Sequence, residues 1–396
     1  MRKAFKYRIY PTEEQKVIFA KTFGCARKIW NLMLADKIKH YKLTGKMLKN
    51  TPAQYKRQYP FLKEVDSLAL ANVQIALQNA YANFFDRIKK GMKGGFPRFK
   101  SRKKSRFSYS TNNQKGTVYI KDNRIQLPKV GLVKIRQHRE IGPAYTIKTV
   151  TISMTPSGKY FVSVLTEYDN QVLKIIPQTF VGLDYTMHGL FVDSTGKSAD
   201  YPGYYHKAER RLARRQRRFS RMKKGGSNSN KMRLRICRLY EKITNQRNDF
   251  LQKASTELVN NFDCIAVEDI SVKEMAKRKK KKHFSFGKSV ADNGWNRFCH
   301  MLEYKAAWQG KSFIKIDKWF PSSQLCHNCG YRNKETKDLS IREWTCPSCH
   351  HKHNRDYNAA INICNEGKRL VLANASDALN YETTAGTAGN YAQEKM

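Results

Sequence analysis

Three acids and a cysteine quartet stand in a fixed order along this chain, and that order limits the folds open to it. The apolar run Phe180-Val181-Gly182-Leu183 ends in Asp184, and a second run, Cys264-Ile265-Ala266-Val267, ends in Glu268. Cys326-x-x-Cys329 and Cys346-x-x-Cys349 follow, separated by sixteen residues, and Asp356 then opens the small-residue stretch Tyr357-Asn358-Ala359-Ala360. A short apolar run closed by an acid reads as a buried strand with a carboxylate at its end. Two Cys-x-x-Cys pairs at this spacing make a closed tetrahedral thiolate site for one structural zinc ion. His327, His350, His351 and His353 lie close by in sequence as second-choice ligands.

Carboxylates held on strands suit Mg²⁺ or Mn²⁺, which prefer hard oxygen ligands. Two such ions about 4 Å apart can activate a water and stabilise the leaving oxygen of a phosphodiester. Asp184, followed by a second apolar run at Gly189–Val192, reads as the first hairpin of an RNase H-like fold. Glu268 then falls on a later strand, after long helices, and Ala359 and Ala360 are small enough to let the helix headed by Asp356 pack on the sheet. A lone acid after a strand is usually a cap or turn residue. Three in this order beside a thiolate site favour a joint catalytic role for Asp184, Glu268 and Asp356. Asp269 is expected on the opposite side of its strand, and Asp193 in a turn.

The charge narrows the partner. The 396 residues carry a formal +44, an excess that repels itself unless a polyanion neutralises it. Nucleic acid fits, because Lys and Arg release counterions condensed on phosphates. A merely cationic, ribosomal-type protein is the plain alternative, but the basic residues run through every segment and are interleaved with Tyr and Phe. Nine cysteines, an odd number, point to a reducing cytoplasm with one metal site. Met1–Lys6 lacks the apolar core of a signal peptide, and no transmembrane stretch is expected.

Along the chain, residues 3–10 alternate as a half-buried strand, and Thr12-x-x-Gln15 opens a helix that runs to about residue 43. A second helix spans about 66–90, so residues 11–94 form a helical unit. Strands are expected at Val118–Ile120, Ile125–Leu127, Leu132–Ile135, Ile147–Met154 and Tyr160–Glu167, the last two joined by the turn Pro156–Lys159. Residues 169–178 read as a linker. Residues 205–223, a turn at Gly225–Asn230 and a return helix make an αα-hairpin whose exterior carries Arg210, Arg211, Arg214, Arg215 and Arg218. Charge runs are usually solvated faces, but balancing acids are almost absent here, which favours phosphate contact. Residues 368–396 are polar and small and are expected to be disordered.

Taken together, these residues resemble the TnpB proteins of bacterial insertion sequences, relatives of type V CRISPR nucleases. The likeness covers nearly the whole chain. It includes Lys6–Pro11, Gly95-Phe96-Pro97-Arg98-Phe99, Val181–Asp184, Val267-Glu268-Asp269, Asp292-Asn293-Gly294-Trp295 and Glu303–Ala306. It continues through Pro321–Cys326, Trp344–Pro347 and Arg355–Ala360. The resemblance implies an α/β multidomain protein with a RuvC-type, RNase H-like nuclease domain over 171–319 and 354–367. A zinc ribbon (320–353) would be inserted in it. An N-terminal β-barrel wedge domain (1–10 and 95–170) would carry a helical recognition insertion (11–94). The family's catalytic acids match Asp184, Glu268 and Asp356, with two Mg²⁺ or Mn²⁺ ions, and its zinc thiolates match Cys326, Cys329, Cys346 and Cys349.

The resemblance further implies an RNA-guided DNA endonuclease of the bacterial cytoplasm. It would act as a monomer with one omega-type RNA made from the transposon end, on double-stranded DNA beside a short protein-read motif. Guide pairing reads the sequence, so the protein needs mainly backbone contacts. Motif contacts would come from Asn72 near a helix start and from Thr111 and Asn112, whose polar groups suit base edges. Lys277–Lys282 is either a loop near the strand being cut or a solvated run. Two other readings remain: an RNA-guided repressor that no longer cuts, against which all three acids stand, and a transposase acting without RNA.

Overall fold

The protein is described from a computed structural model covering residues 1–103, 106–169, 172–187, 189–276, 287–338 and 340–390, with backbone only for Lys273 and for 374–390. The chain divides into two compact units, Met1–Asn170 and Gln171–Met396.

In the first unit, β1 (Arg2–Tyr10) buries Phe5, Tyr7 and Ile9, as its alternation demands. Pro11 ends the strand. Thr12 then caps α1 (Glu13–Thr44): Gln15 N donates to Thr12 Oγ1 at 3.3 Å, and Thr12 N donates to Gln15 Oε1 at 3.1 Å. Asp66 caps α2 (Ser67–Lys89), its Oδ1 accepting from Leu68 N at 3.0 Å. Six more strands follow: β2 (Phe107–Asn112), β3 (Ile120–Lys121), β4 (Arg124–Leu127), β5 (Gly131–Arg136), β6 (Thr146–Met154) and β7 (Tyr160–Glu167). They join β1 in one antiparallel sheet of order β2-β6-β7-β1-β5-β4-β3. Because β1 lies inside the sheet, α1 and α2 are an insertion between it and the remaining strands. Their apolar faces, including Phe19, Ile29, Met33, Leu70 and Leu77, share one core with Val133, Ile152 and Val162 of the sheet.

Three expectations need correction here. The sheet is open rather than a closed barrel, with β2 and β3 as its edges among the described residues; β3 has two residues, too few to carry a closing ladder. β2 was hidden because Phe-Ser-Tyr-Ser-Thr-Asn is mostly polar, although Tyr109 and Thr111 alternate inward. Val118 is buried beside β3 but outside it, its N–H taken by Asn113 Oδ1 at 3.0 Å.

The second unit is built on a four-stranded sheet. Its strands are β8 (Phe180–Tyr185), β9 (Phe191–Asp193), β10 (Cys264–Glu268) and β11 (Ser312–Ile316), in the order β11-β10-β8-β9. β8, β10 and β11 run parallel, and β9 pairs antiparallel with β8. Between β9 and β10 rise α3 (Tyr204–Ser220) and α4 (Ser227–Asn261). Between β10 and β11 lie α5 (Val272–Met275), α6 (Gly287–Asn293) and α7 (Trp295–Trp308). Beyond β11, the ribbon β12 (Glu343–Thr345) and β13 (Lys352–Asn354) leads into α8 (Arg355–Asn390).

The two faces of this sheet differ in a way the period of two dictates. Val181, Leu183, Ile265 and Val267 point into a core with Leu251 and Leu258 of α4 and Trp295 and Phe298 of α7. Gly182, Ala266 and Ile316 point the other way, where α8 lies and Ile363 fills the gap. α3 and α4 form the expected hairpin on their own small core of Leu212, Met232, Ile236, Leu239 and Ile243; Leu258 instead joins the sheet. The turn is shorter than expected: Ser227–Asn230 already belong to α4, with Asn230 Nδ2 donating back to Gly225 O at 3.2 Å. The tail expected to be disordered is helical as far as Asn390. Its run of Ala and Leu favours helix, and no proline interrupts it.

Asp292, 2% exposed, fastens the hairpin to this unit. It receives Arg247 Nη2 at 2.9 Å, the Tyr201 hydroxyl at 3.0 Å and, at the start of α3, Tyr205 N at 3.1 Å. A helix N-terminus is a favourable place for a carboxylate.

Candidate active site and metal centre

Asp184, one residue before the end of β8, and Glu268, the last residue of β10, stand on neighbouring parallel strands. The register pairs Leu183 with Val267, so the two acids come next, side by side and on the same face as Gly182 and Ala266. That face is the one α8 covers, and Asp356 stands in the first turn of α8. Asn354 Oδ1 caps this turn, accepting from Asp356 N and Tyr357 N at 3.2 Å each. All three acids line one cleft of about 790 Å³, with Ser322, Arg342 and Arg355 among its walls.

The electrostatics are those of a site short of positive charge. The Asp184 carboxyl is pushed well above the ordinary carboxylate range, first by burial and then by Glu268 and Asp356, with Arg355 pulling the other way. Burial also pushes Glu268 up, opposed by the Ser322 hydroxyl, which donates to Glu268 Oε1, and by Arg355. Arg342 Nη1 meets both carboxylate oxygens of Asp356 at 3.2 Å. Hard oxygen donors converging with a charge deficit fit divalent cations.

Close approach of helix to strand makes this possible. A Cβ on Gly182 would overlap Ala360 O and Cys364 N of α8, and one on Gly367 would overlap the Ala266 side chain. Ala359 and Ala360 are buried at this contact, as their size suggested. Gly182→Ala is therefore expected to cost about 3 kcal/mol or more by forcing α8 off β8. Urea unfolding would read that loss. A variant as stable as the parent would mean that α8 is not held by this contact.

The four cysteines meet as their spacing demands. Their sulfurs all lie within 4.8 Å of one another, with Cys326 to Cys349 and Cys329 to Cys346 at 3.6 Å. Zinc–sulfur bonds of about 2.3 Å in a tetrahedron place sulfurs about 3.8 Å apart, so the quartet fits that ion. Each pair sits in a knuckle: Gly330 N donates to Cys326 O at 2.8 Å and His350 N to Cys346 O at 2.9 Å. Gly330 and His350 both adopt positive φ there, 77° and 58°. The Asn328 side chain and the His351 N–H pull the Cys349 thiol below the ordinary thiol range, while burial pushes Cys326 above it. Of the four histidines, His327, His351 and His353 cluster beside the cysteines, with one ring nitrogen of each within 4.8 Å of the others. His350 is spent on the knuckle turn.

The residues expected to touch nucleic acid divide. Arg210, Arg211, Arg214 and Arg218 are exposed on α3, and Arg215 is half-buried with Nη1 donating to Arg235 O at 3.3 Å. Thr111 needs correction: it is 1% exposed and its hydroxyl donates to Asp66, the cap of α2, so it is not free to read a base. Asn72 and Asn112 are half-buried; Asn72 Nδ2 donates to Leu68 O at 2.9 Å, and Asn112 Oδ1 accepts from Thr149 Oγ1 at 3.1 Å. Asp193 is held in its turn by Thr195 and Lys197, as expected. Asp269 points outward to Lys315 at 3.6 Å. Lys277–Lys282 lies outside the described residues. Sequence reasoning missed Ser322, Arg342 and Arg355 as neighbours of the acids. Ser322 and Arg355 stand inside motifs already singled out, Pro321-Ser322-Ser323 and Arg355-Asp356, which was the available signal.

Known proteins agree with this architecture. A family model described as "Probable transposase", of IS605 OrfB, matches residues 163–279. The "Helix-turn-helix domain" model of the same OrfB matches residues 1–46, where the structure has β1 and the single helix α1. A "Cas12f1-like, TNB domain" model matches residues 295–363. A Streptomyces pristinaespiralis protein named "Putative RNA-guided DNA endonuclease" is 36% identical, over 98% of this chain and 94% of its own length. "Putative RNA-guided DNA endonuclease InsQ" of Escherichia coli K12 is 29% identical, over 93% of each chain. The fold resembles that of the protein in a Cas12f1–sgRNA–target DNA complex, with a TM-score of 0.58 at 14% identity, over 92% of this chain and 98% of the other. Among the described residues no helix is long and apolar enough to cross a membrane. On this likeness, spanning both compact units, the chain belongs to the TnpB-like IS605 OrfB family.

Proposed function

We propose that this protein is an RNA-guided DNA endonuclease that hydrolyses phosphodiesters in the cleft of Asp184, Glu268 and Asp356. The observation that carries the reading is the placement of Asp184 and Glu268 on adjoining parallel strands, with Asp356 brought over them by α8. The names of relatives that share almost the whole length support it. The strand order and the acids fit a RuvC-type, RNase H-like domain over 171–319 and 354–367, with a zinc ribbon over 320–353. Residues 1–10 and 95–170 act as the wedge, and 11–94 as the recognition insertion.

Asp184, Glu268 and Asp356 would hold two Mg²⁺ or Mn²⁺ ions, which would supply an activated water and charge to stabilise the leaving oxygen. Ser322 orients Glu268 by its hydroxyl. Arg342 holds Asp356, and Arg355 offsets the charge of Asp184 and Glu268. Cys326, Cys329, Cys346 and Cys349 hold a structural zinc with no open position. The partners are one omega-type RNA from the transposon end, bound by a monomer, and double-stranded target DNA.

The exposed arginines of α3 contact phosphates without reading sequence. Replacing Arg214 and Arg218 with Gln is expected to weaken binding to all guides alike. It should lower the slope of log affinity against log salt by about one per lost contact. An unchanged slope in filter binding would assign that face to solvent. The function itself is tested by purifying the protein with the RNA of its own locus and sequencing what is bound. One abundant RNA with a constant scaffold and a variable end, directing Mg²⁺-dependent cutting of matched DNA, is the expected result. Cutting of transposon-end DNA by RNA-free protein would replace this reading with a transposase.

A further inference from the structure

We propose that His327, His351 and His353 form a second transition-metal site, separate from the four-cysteine centre and from the acid cleft. One ring nitrogen of each lies within 4.8 Å of the other two. The ring centroids of His327 and His353, and of His351 and His353, are 4.8 Å apart, and those of His327 and His351 5.2 Å. Metal–nitrogen bonds of about 2.1 Å in a tetrahedron set nitrogens roughly 3.4 Å apart, near the spacing of the three ring nitrogens here, which lie within 4.8 Å of one another.

The hydrogen bonds around the cluster leave lone pairs free for a metal. Asn358 Nδ2 donates to Leu325 O at 2.7 Å, and its Oδ1 accepts from His327 N at 3.0 Å. These two backbone partners fix which end of the amide is oxygen. That oxygen also faces His327 Nδ1 at 3.0 Å, so Nδ1 carries the proton and Nε2 keeps its lone pair. His353 is 3% exposed, and its Nε2 lies 3.1 Å from Cys326 Sγ. With Cys326 a zinc thiolate, Nε2–H donates to sulfur, and the lone pair stays on Nδ1. That Nδ1 is buried with no hydrogen-bond partner. A buried acceptor without a partner is destabilising, and a metal ligand bond removes the cost. This is the outer-shell arrangement by which ligating histidines are usually oriented.

Charge favours the same conclusion. Zinc held by four thiolates carries a net charge of about −2, and a cation beside it is attracted. Imidazole donors select Zn²⁺, Cu²⁺, Ni²⁺ or Co²⁺ over Mg²⁺, so this site does not compete for the ions of the acid cleft. His327 belongs to the first cysteine knuckle and His353 to β13, three residues before Asp356. A metal here ties the knuckle to the strand that leads into α8.

The test adds Co²⁺ to zinc-loaded, full-length protein carrying Asp184→Ala, so that metal in the acid cleft is not counted and cleavage plays no part. One further equivalent of Co²⁺ is expected to bind, with visible d–d absorption and no thiolate-to-metal charge-transfer band. His351 is exposed, so His351→Ala should fold normally; it is expected to lose that equivalent and its absorption, as is His327→Ala. Failure of the parent to bind Co²⁺ beyond its zinc would overturn the proposal. So would cobalt that appears only with a thiolate band, or a binding stoichiometry that His351→Ala leaves intact.

Discussion

Asp184→Ala is expected to lower DNA cleavage by about a thousand-fold or more while leaving affinity for RNA unchanged. Asp184 lies near the end of a central strand of the second unit and lines the cleft, whereas the arginines proposed to meet nucleic acid stand on α3. Single-turnover cleavage and RNA filter binding on the same preparation separate the two. Loss of both in a folded variant would refute this division of labour.

Asp184→Asn should show what the acid costs. Burial and the neighbouring acids raise Asp184 in the folded protein, and burial raises Glu268. Between the ordinary carboxylate range and these raised values, the native state binds more protons than the unfolded chain. Metal-free stability therefore falls as pH rises through that window. Asp184→Asn removes its share of the slope and is expected to be more stable than the parent at neutral pH without added Mg²⁺, though inactive. Mg²⁺ should stabilise the parent more than the variant. A parent whose metal-free stability rises through that window would contradict the buried, uncompensated charge.

Much of this site was legible because its determinants are local. Alternation placed Val181 and Leu183 on one face and so Gly182 and Asp184 on the other. The same parity in Cys264–Glu268 put Glu268 beside Asp184 once the strands paired in parallel. The capping box at Thr12 and the four-cysteine spacing likewise depend on residues a few positions apart. What stayed hidden depends on chain paths that no local pattern records. Ser322 reaches Glu268 because Asn362 of α8 grips Ser322 O and Leu325 O, at 2.8 and 2.7 Å. Asp292 stood in a recognisable motif, but its partners Arg247, Tyr201 and Tyr205 lie 45 to 91 residues away. Thr111 was expected to read bases from the family resemblance and its polar side chain; only its contact with Asp66 reveals a structural role. The helical tail was misjudged because composition weighs polarity, while helix formation weighs backbone propensity.

The largest loss of stability is expected on breaking the cysteine centre. A structural zinc site contributes on the order of 10 kcal/mol to the fold that encloses it, and Cys346, fully buried, is one of the four cysteines proposed to hold that ion. Cys346→Ser should release the zinc and open the segment between the knuckles to proteolysis. The consequence reaches the acids through the ribbon. β12 and β13 pair Trp344 with His353 and Glu343 with Asn354, and Arg355 N donates to Arg342 O at 2.8 Å. Asn354 caps α8 and Arg342 holds Asp356, so the ribbon proposed to be held by zinc also aims the third acid. Cleavage is therefore expected to disappear with the zinc although Asp184 and Glu268 remain on their strands. Excess Mg²⁺ should restore activity after brief Mg²⁺ depletion but not after zinc removal. Elemental analysis beside a cleavage assay decides it: a zinc-free Cys346→Ser protein that cuts at the parent's rate would show that the ribbon does not position Asp356.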